Sequence, residues 1–597
     1  MIEYRISCAD LYRHHFTVEC VVHDARGDID LTLPSWIPGS YLMREFARHV
    51  VAVEAFAVDA PVTVEKVDKN TWRCVSVGGT LRFRSTVYAL DRSVRGAYVD
   101  VTRAYFNGAC VFPMVRGREL EAIELSIERP SDALCAGWRV ATAMTPTDID
   151  DAGFGRYCAE DYDELIDHPV EIGDHRCADF VAGAKPHCIV VAGYCETDLE
   201  RVATDLTQLC ESQIAFFDGD APFDRYTFLG LAVDQGYGGL EHRASSSLIF
   251  NRGDLPRAGE SDVPVSYQRF LALASHEYFH TWHVKRSKPE AFVPYRLSER
   301  NYTRQLWVFE GITSYYQEIF LLRSQLVGAP AFLRRIGELL TRVYRMPGRK
   351  VQSIAEASFD AWDVFYKPDA NSPNATTSYY SKGAVVALAL DLELRERSDS
   401  VVTLDTLVRE LWRRYGKIGR GVPEAGFERL ACELAGDALG GFFDIAVRGT
   451  ADLPVAALLE KFGVQLAFRA AAGPEDKGGT PPRADGPRVW LGIAWRAAPI
   501  GIEITTAYDA GPAQLGGLNP GDLLIAINRL QVSGQNLDAR LARFEDRERI
   551  LVSVLRDGEL QGFTLTLAPP PDDCCYLQVD AAAGDRAVRL RQAWLGV

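Results

Sequence analysis

The sequence contains no run of 18 or more apolar residues, and no apolar stretch follows the charged opening Met1-Ile2-Glu3-Tyr4-Arg5. Neither a membrane-spanning helix nor a signal peptide is therefore expected, and the default location is cytoplasmic; a leader outside this sequence would make it periplasmic. Positive charge is also in deficit, with a net charge of −16 over 597 residues. Nucleic acid and anionic membranes both demand basic surface, so neither is an expected partner. The 13 cysteines are an odd number without zinc-ribbon spacing, and only Cys432 and the adjacent Cys574 and Cys575 lie outside the first half. They read as reduced core thiols. Internal repeats and low-complexity tracts are lacking too. What is present, 47% hydrophobic residues with moderate charge, suits a globular protein of about three domains.

The texture of the chain divides it further. From residue 1 to about 170, short β-rich runs (16–23, 81–88, 122–127) alternate with turn residues, which predicts an antiparallel β domain. Inside it Pro34-Ser35-Trp36-Ile37-Pro38-Gly39-Ser40-Tyr41 is an aromatic turn, either a packed loop or the border of a cleft. Residues 196–217 carry Val202, Leu206, Leu209 and Ile214 at helical spacing. Residues 226–234 and 240–250 read as strands around the turn Gln235-Gly236-Tyr237-Gly238-Gly239. From about 300 to 465 the pattern is helical. Residues 472–488, dense in Gly, Pro and charge, read as a linker, followed by about 80 residues of short strands. The expected fold class is multidomain α+β: a β-rich N-terminal domain (1–172), an α+β domain with a helical lobe from about 300 (173–468), a linker (469–488), a small domain (489–570) and a C-terminal tail (571–597) with Arg589, Arg591 and Trp594.

One motif stands out. Between Pro264 and Pro289 no helix breaker occurs, and residues 267–284 are rich in apolar and aromatic side chains, which predicts a largely buried helix. On it lies His276-Glu277-Tyr278-Phe279-His280. The two histidines fall one turn apart on one face, about 6 Å along the axis, which suits two corners of a tetrahedral zinc site. Glu277 flanks that face, within reach of a metal-bound water. Two ordinary core histidines are the other reading, but each buried imidazole needs a hydrogen-bond partner or a metal. His283 reads as a supporting or helix-end residue, and Lys285, Arg286 and Lys288 as complements to the negative end of the helix dipole. A catalytic zinc needs a third protein ligand. In the run Leu306-Trp307-Val308-Phe309-Glu310-Gly311-Ile312-Thr313-Ser314-Tyr315-Tyr316, Glu310 is either that ligand or the partner of a buried Arg or Lys. Glu318 is the other acid on the same run.

HExxH followed by a helix bearing WxxEG is similar to the gluzincin metallopeptidases, the group containing thermolysin and the aminopeptidase N family. The longer strings HEYFHTWHVKRSKPEAFVPY (276–295) and LWVFEGITSYY (306–316) resemble the glycyl aminopeptidase family, whose members carry a C-terminal PDZ domain. The spacer of 29 residues between His280 and Glu310 resembles theirs as well. The likeness is strong over the catalytic core, good over the C-terminal region, and confined to PSWIPGSY in the N-terminal domain. It implies a thermolysin-like zinc peptidase domain at 173–468 and a PDZ domain at 489–570. It also implies one Zn2+ per chain on His276, His280 and Glu310, with Glu277 as general base toward a metal-activated water.

Gly238-Gly239-Leu240-Glu241-His242 resembles the Gly-x-Met-Glu-Asn segment of the aminopeptidase N family. By that resemblance Gly238 and Gly239 align the substrate backbone and Glu241 binds its α-amine. Leu240 and His242 depart from the pattern, and a strand acid paired with Arg243 is the alternative for Glu241. Tyr379-Tyr380-Ser381-Lys382-Gly383 resembles the YxKG segment whose tyrosine faces the oxyanion. Tyr380 aligns with that tyrosine, and Tyr379 is its rival. Trp490-Leu491-Gly492-Ile493 with AGPAQLGGLNPGD (510–522) resembles a bacterial protease PDZ domain. Leu491, Gly492 and Ile493 would be its carboxylate-capturing loop, in a domain that either binds a peptide C-terminus or only packs. The expected function is a zinc aminopeptidase that removes small N-terminal residues, Gly or Ala, from peptides. A zinc endopeptidase recruiting substrate through the PDZ domain and a non-catalytic PDZ peptide-binding protein are the rival readings.

Overall fold

Two strands of 18 residues each, His15–Thr32 and Thr71–Tyr88, form the spine of the N-terminal region. They pair antiparallel with Phe16 opposite Val87, Val18 opposite Ser85, Cys20 opposite Phe83 and Val22 opposite Leu81. Alternate residues share a face, so all eight of these side chains point one way, and all are buried. In the computed structural model, which describes residues 2–436, 439–482 and 487–596, this pair belongs to a ten-stranded sheet. The chain forms two units, Met1–Asn301 with Leu411–Val422, and Tyr302–Glu410 with Pro423–Val597.

The first unit also holds a four-stranded sheet, which includes Ala97–Val99 and Arg103–Phe106, and a five-stranded sheet. In the latter Lys185–Ala192, Tyr226–Val233 and Ser245–Asn251 run parallel, and Gly238–Glu241 closes the rim antiparallel to Ser245–Asn251. The run 240–250 is thus a hairpin rather than one strand. His242 N–H donates to Ser245 O (2.9 Å) across a turn that contains neither Gly nor Pro, so its residues carry no punctuation to read. The helix Leu199–Phe216 starts where Asp198 accepts from Arg201 N–H.

The motif helix, Val265–Phe279, lies against the rim strand Gly238–Glu241 and its neighbour Ser245–Asn251. It stops with His280 as its C-cap instead of running on to 284. The apolar residues beyond are buried by a loop: Trp282 stacks on Phe217 with centroids 4.7 Å apart, and Val284 takes φ 116°, a value a β-branched residue rarely adopts.

In the second unit a five-residue π-helix, Trp307–Gly311, runs directly into the helix Ile312–Arg323. The helices Ala329–Tyr344 and Ser381–Ser398 pack beside it. Further on, Ile493–Ala497, Ile502–Ala507, Leu523–Ile527, Arg549–Arg556 and Glu559–Thr566 form, with Leu530–Gln531, a six-stranded sheet around its own core of Leu491, Ile504, Leu524, Val552 and Leu565. The residues expected as a tail are structured. Cys574–Val579 pairs with Val464–Arg469, and the helix Asp585–Leu595 packs on Ile312–Arg323 and Ser381–Ser398. Trp594 Nε1 donates to Tyr315 OH (2.9 Å) and Arg395 Nη1 to Ala593 O (3.0 Å). Part of the expected linker is also packed. Gly479 N–H donates to Cys575 O (2.7 Å), and a Cβ on Gly479, at φ +78°, would lie 2.5 Å from Arg334 O. Glycine there serves close approach rather than flexibility. Residues 483–486 of that stretch lie outside the described residues. Among the described residues no helix is long and apolar enough to cross a membrane.

Candidate active site

The motif helix delivers His276 and His280 to one face, as a 3.6-residue period requires. Both are buried, and their Nε2 atoms face each other at 3.0 Å with the rings nearly perpendicular (87°). His280 Nδ1 donates to the backbone carbonyl of His283 (2.7 Å), which fixes its tautomer and leaves Nε2 as the basic nitrogen. Two imidazoles on one zinc at about 2.1 Å place their nitrogens about 3.3 Å apart, so the donor pair fits the ion. His283 supports its neighbour through its carbonyl.

Glu277 and Glu241 are buried beside this pair, and ligand atoms of Glu241, Glu277 and His280 all lie within 4.8 Å of one another. Gly239 makes that approach possible, because a Cβ there would collide with the Glu277 carboxylate. Glu241 occupies the same face of the strand two residues on. Its Oε1 is buried and has no hydrogen-bond partner among the described residues. Arg243, the alternative partner, is engaged with Asp163 and Asp167 instead. The aromatic turn reaches the same carboxylate. Gly39 takes φ +95°, and a Cβ on it would lie 2.6 Å from Glu241 Oε1. Trp36 Nε1 donates to Arg296 O (3.0 Å) and Tyr41 stacks on Phe292, which holds the turn in place.

Asp167 ties these pieces together. It is buried, pairs with Lys285 Nζ (2.6 Å) and with His242 Nδ1 (3.2 Å), and accepts from Arg243 N–H (3.0 Å). Burial alone would raise its pKa, but Lys285, His242 and Arg243 outweigh burial and hold the carboxyl well below the usual range. One carboxylate thus fixes both the end of the Glu241 strand and the loop after His280. Lys285, Arg286 and Lys288 are therefore not simple complements to a helix dipole. The helix ends before them, Lys285 is buried on Asp167, Arg286 donates to the carbonyls of Thr281 and Arg243, and Lys288 sits 4.3 Å over the Tyr295 ring.

In the second unit Glu310 is buried on the π-helix, a distortion that often marks functional positions. Glu318 is bound by Arg335, Oε1 accepting from Nη2 at 2.8 Å, and is thereby placed as an ion-pair partner. Gly311 and Gly383 meet at the helix crossing: a Cβ on Gly311 would lie 2.5 Å from Gly383 Cα. The glycines of the two segments EG and KG hence set the separation of the backbones that carry Glu310 and Tyr380. Tyr380, the N-cap of Ser381–Ser398, is partly exposed and shares a hydrogen bond with Tyr366 (3.0 Å). Tyr379 is fully buried and donates to Tyr366 OH (3.2 Å); burial raises its pKa well above the ordinary value. Lys382 Nζ donates to Arg349 O (2.8 Å).

Comparison with known proteins decides the family. The model of the peptidase M61 N-terminal domain matches residues 3–174, and that of M61 glycyl aminopeptidase matches residues 269–386. The crystal structure of an aminopeptidase N family protein from Idiomarina loihiensis is 35% identical, covers 100% of both chains and superposes with a TM-score of 0.96. The chain belongs to the M61 glycyl aminopeptidase family. As an M61 peptidase it is a zinc-dependent aminopeptidase acting on peptides. No curated protein matches it in sequence. An M1 zinc metallopeptidase from Deinococcus radiodurans (13% identity, 76% of this chain and 94% of that one, TM-score 0.47) and aminopeptidase A from Legionella pneumophila (14%, 75% and 49%, TM-score 0.48) are more distant. Within this M61 chain, sequence reasoning missed Asp167 and the contact of Gly39 with Glu241. Only the glycine inside an aromatic turn left a signal.

Proposed function

We propose that this enzyme removes small N-terminal residues, glycine or alanine, from peptides, with one zinc ion held by His276, His280 and Glu310. The observation that carries the exopeptidase reading is the buried, unsatisfied Oε1 of Glu241 beside Glu277 and His280. Two carboxylates buried this close call for positive charge between them, and a metal ion and a substrate ammonium group supply it. When bound, zinc polarises the scissile carbonyl and lowers the pKa of the attacking water. Glu241 receives the α-amine, and Gly238 and Gly239 let the substrate backbone lie along the strand. Glu277 takes a proton from the water and passes it to the leaving amine. Tyr380 donates to the developing oxyanion, a contribution of about 3 kcal/mol for such a donor. Gly39, pressed on the anchor, limits the room for a first side chain and favours small residues. Cleavage of free and N-acetylated peptides tests the reading: acetylation is expected to abolish turnover, and Glu241→Gln to raise KM by roughly 10–100-fold. Equal cleavage of blocked and free peptides overturns both the exopeptidase reading and the role of Glu241.

We propose further that residues 489–570 form a peptide-binding PDZ domain. A cavity of about 630 Å³ is lined by Trp490, Leu491, Ile493, Leu537 and Leu541, together with Tyr344 and Arg345 of the helical lobe. Gly492, at φ +76°, makes the turn that leads from Leu491 into the groove strand. A peptide with a free C-terminus should bind in fluorescence anisotropy and its C-terminal amide should not; indifference to the amide removes Leu491, Gly492 and Ile493 as a carboxylate loop.

A further inference from the structure

Asn374 stands six positions before Tyr380, the residue assigned to the oxyanion, in a stretch that no motif marks. Its segment has little to hold it. The helix Ser372–Ala375 is a single turn, too short to be stable by itself. Residues 367–371 are exposed, and between 372 and 378 only Asn374 and Thr377 are buried. These two residues are therefore its anchors. Thr377 N–H donates to Gln352 Oε1 (3.0 Å), and beside it the carbonyl of Thr376 presses on Gly348, where a Cβ would lie 2.1 Å from that oxygen.

Asn374 is anchored on the six-stranded module. Its Nδ2 donates to Ala507 O (3.0 Å), at the end of the strand Ile502–Ala507, and its Oδ1 accepts from Asp509 N–H (3.1 Å). One partner can only accept and the other can only donate, so a single orientation of the amide satisfies both. The remaining N–H meets Asn371 Oδ1 (3.2 Å). The receiving backbone is itself fixed: Tyr508 N–H donates to Gly492 O (2.9 Å), and its ring stacks on Trp490 with centroids 6.0 Å apart. An amide buried on a mostly exposed segment is costly unless its groups are paired, and here the pairing is complete. No other side chain reproduces it, since Asp lacks the donor and Gln is one carbon longer.

What the segment carries is the start of the helix Ser381–Ser398. Ser378 Oγ accepts from Ser381 N–H (3.1 Å) and Ser378 O from Lys382 N–H (2.9 Å), which seats the first turn, and Tyr380 is its N-cap. An oxyanion donor is effective only at about 2.7–3.1 Å from the developing charge, so a shift of a few tenths of an ångström at this N-cap is felt in the reaction. We propose that Asn374 is a positioning residue: through its clamp on Ala507 and Asp509 the six-stranded module sets the place of Tyr380. The module is then part of the catalytic apparatus, whatever occupies its groove. This inference rests on the reading of Tyr380 as oxyanion donor.

The test measures kcat and KM on alanine p-nitroanilide for the zinc-loaded wild type, Asn374→Ala, Tyr380→Phe and the double variant, at matched folded fraction. Asn374→Ala is expected to lower kcat roughly tenfold with KM within about twofold, because an oxyanion donor acts only in the transition state. In the Tyr380→Phe background the same substitution should change kcat by less than about twofold. An unchanged kcat in Asn374→Ala, a loss expressed in KM, or an equal loss with and without the tyrosine hydroxyl overturns the role of Asn374. Should Asn374→Ala not fold, Asn374→Asp, which keeps the acceptor for Asp509 N–H and lacks the donor for Ala507 O, carries the same comparison. Full kcat in Tyr380→Phe fails the oxyanion reading instead, which keeps the two failures apart.

Discussion

Glu277 and Glu241 both stand within 4.8 Å of a ligand atom of His280, yet their assigned tasks differ. In the proposed function one moves a proton and the other holds a cation. Glu277→Gln keeps the shape of the side chain and removes its basicity, so zinc content measured by mass spectrometry should stay the same while kcat falls about 10²–10⁴-fold. Full turnover by the zinc-loaded variant would remove Glu277 as the base. At this scale the sequence was most legible where chemistry is local. HEYFH is five consecutive residues, and helical periodicity alone puts both histidines on one face. Asp167 meets His242 across 75 positions and does not stand in a patterned neighbourhood, so periodicity and spacing have nothing to say about it.

Among the elements, the crossing of the π-helix and the helix Ser381–Ser398 depends on two bare α-carbons. A Cβ on Gly383 would lie 2.8 Å from Gly311 Cα. Gly383→Ala is expected to cost about 1–3 kcal/mol by forcing the backbones apart. Because the same backbones carry Glu310 and Tyr380, activity should fall by more than the loss of folded protein explains. Denaturant unfolding combined with kcat at matched folded fraction checks this; a stability loss with kcat intact would show that the crossing is structural only. Elements with strong periodicity, such as Leu199–Phe216, were readable from the residues. Their limits were not, for tertiary packing set them: the motif helix ends at Phe279 because a buried loop takes over its apolar load, and the hairpin turn at His242 has no turn residues to announce it.

For the whole molecule, acid should be more damaging than the carboxylates alone suggest. Burial pushes the imidazoles of His175 and His187 down to about 4. His187 is satisfied in its neutral form, with Nδ1 on Lys185 O (2.9 Å) and Nε2 on the hydroxyl of Tyr278 (2.9 Å), a residue of the motif helix. Unfolded histidine titrates near 6.5, so between about 6.5 and 4 the unfolded chain binds protons that the folded one refuses. The stabilisation is complete above 6.5 and is lost as pH falls through that window, by up to about 3 kcal/mol per histidine. Urea midpoints at pH 7.0, 5.5 and 4.5 should decline, and less steeply in His187→Gln; parallel declines in the two proteins would remove His187 from the account.

The strand Cys574–Val579 lies at the far end of the chain, yet its partner is Val464–Arg469. The six-stranded module is therefore an insertion, closed at its base by a pairing that joins residues on the order of 100 positions apart. During synthesis Trp594 can reach Tyr315 only after the whole six-stranded module has been made. A chain that stops between residues 470 and 573 is expected to leave the strand Val464–Arg469 without its partner and the helical lobe unfinished.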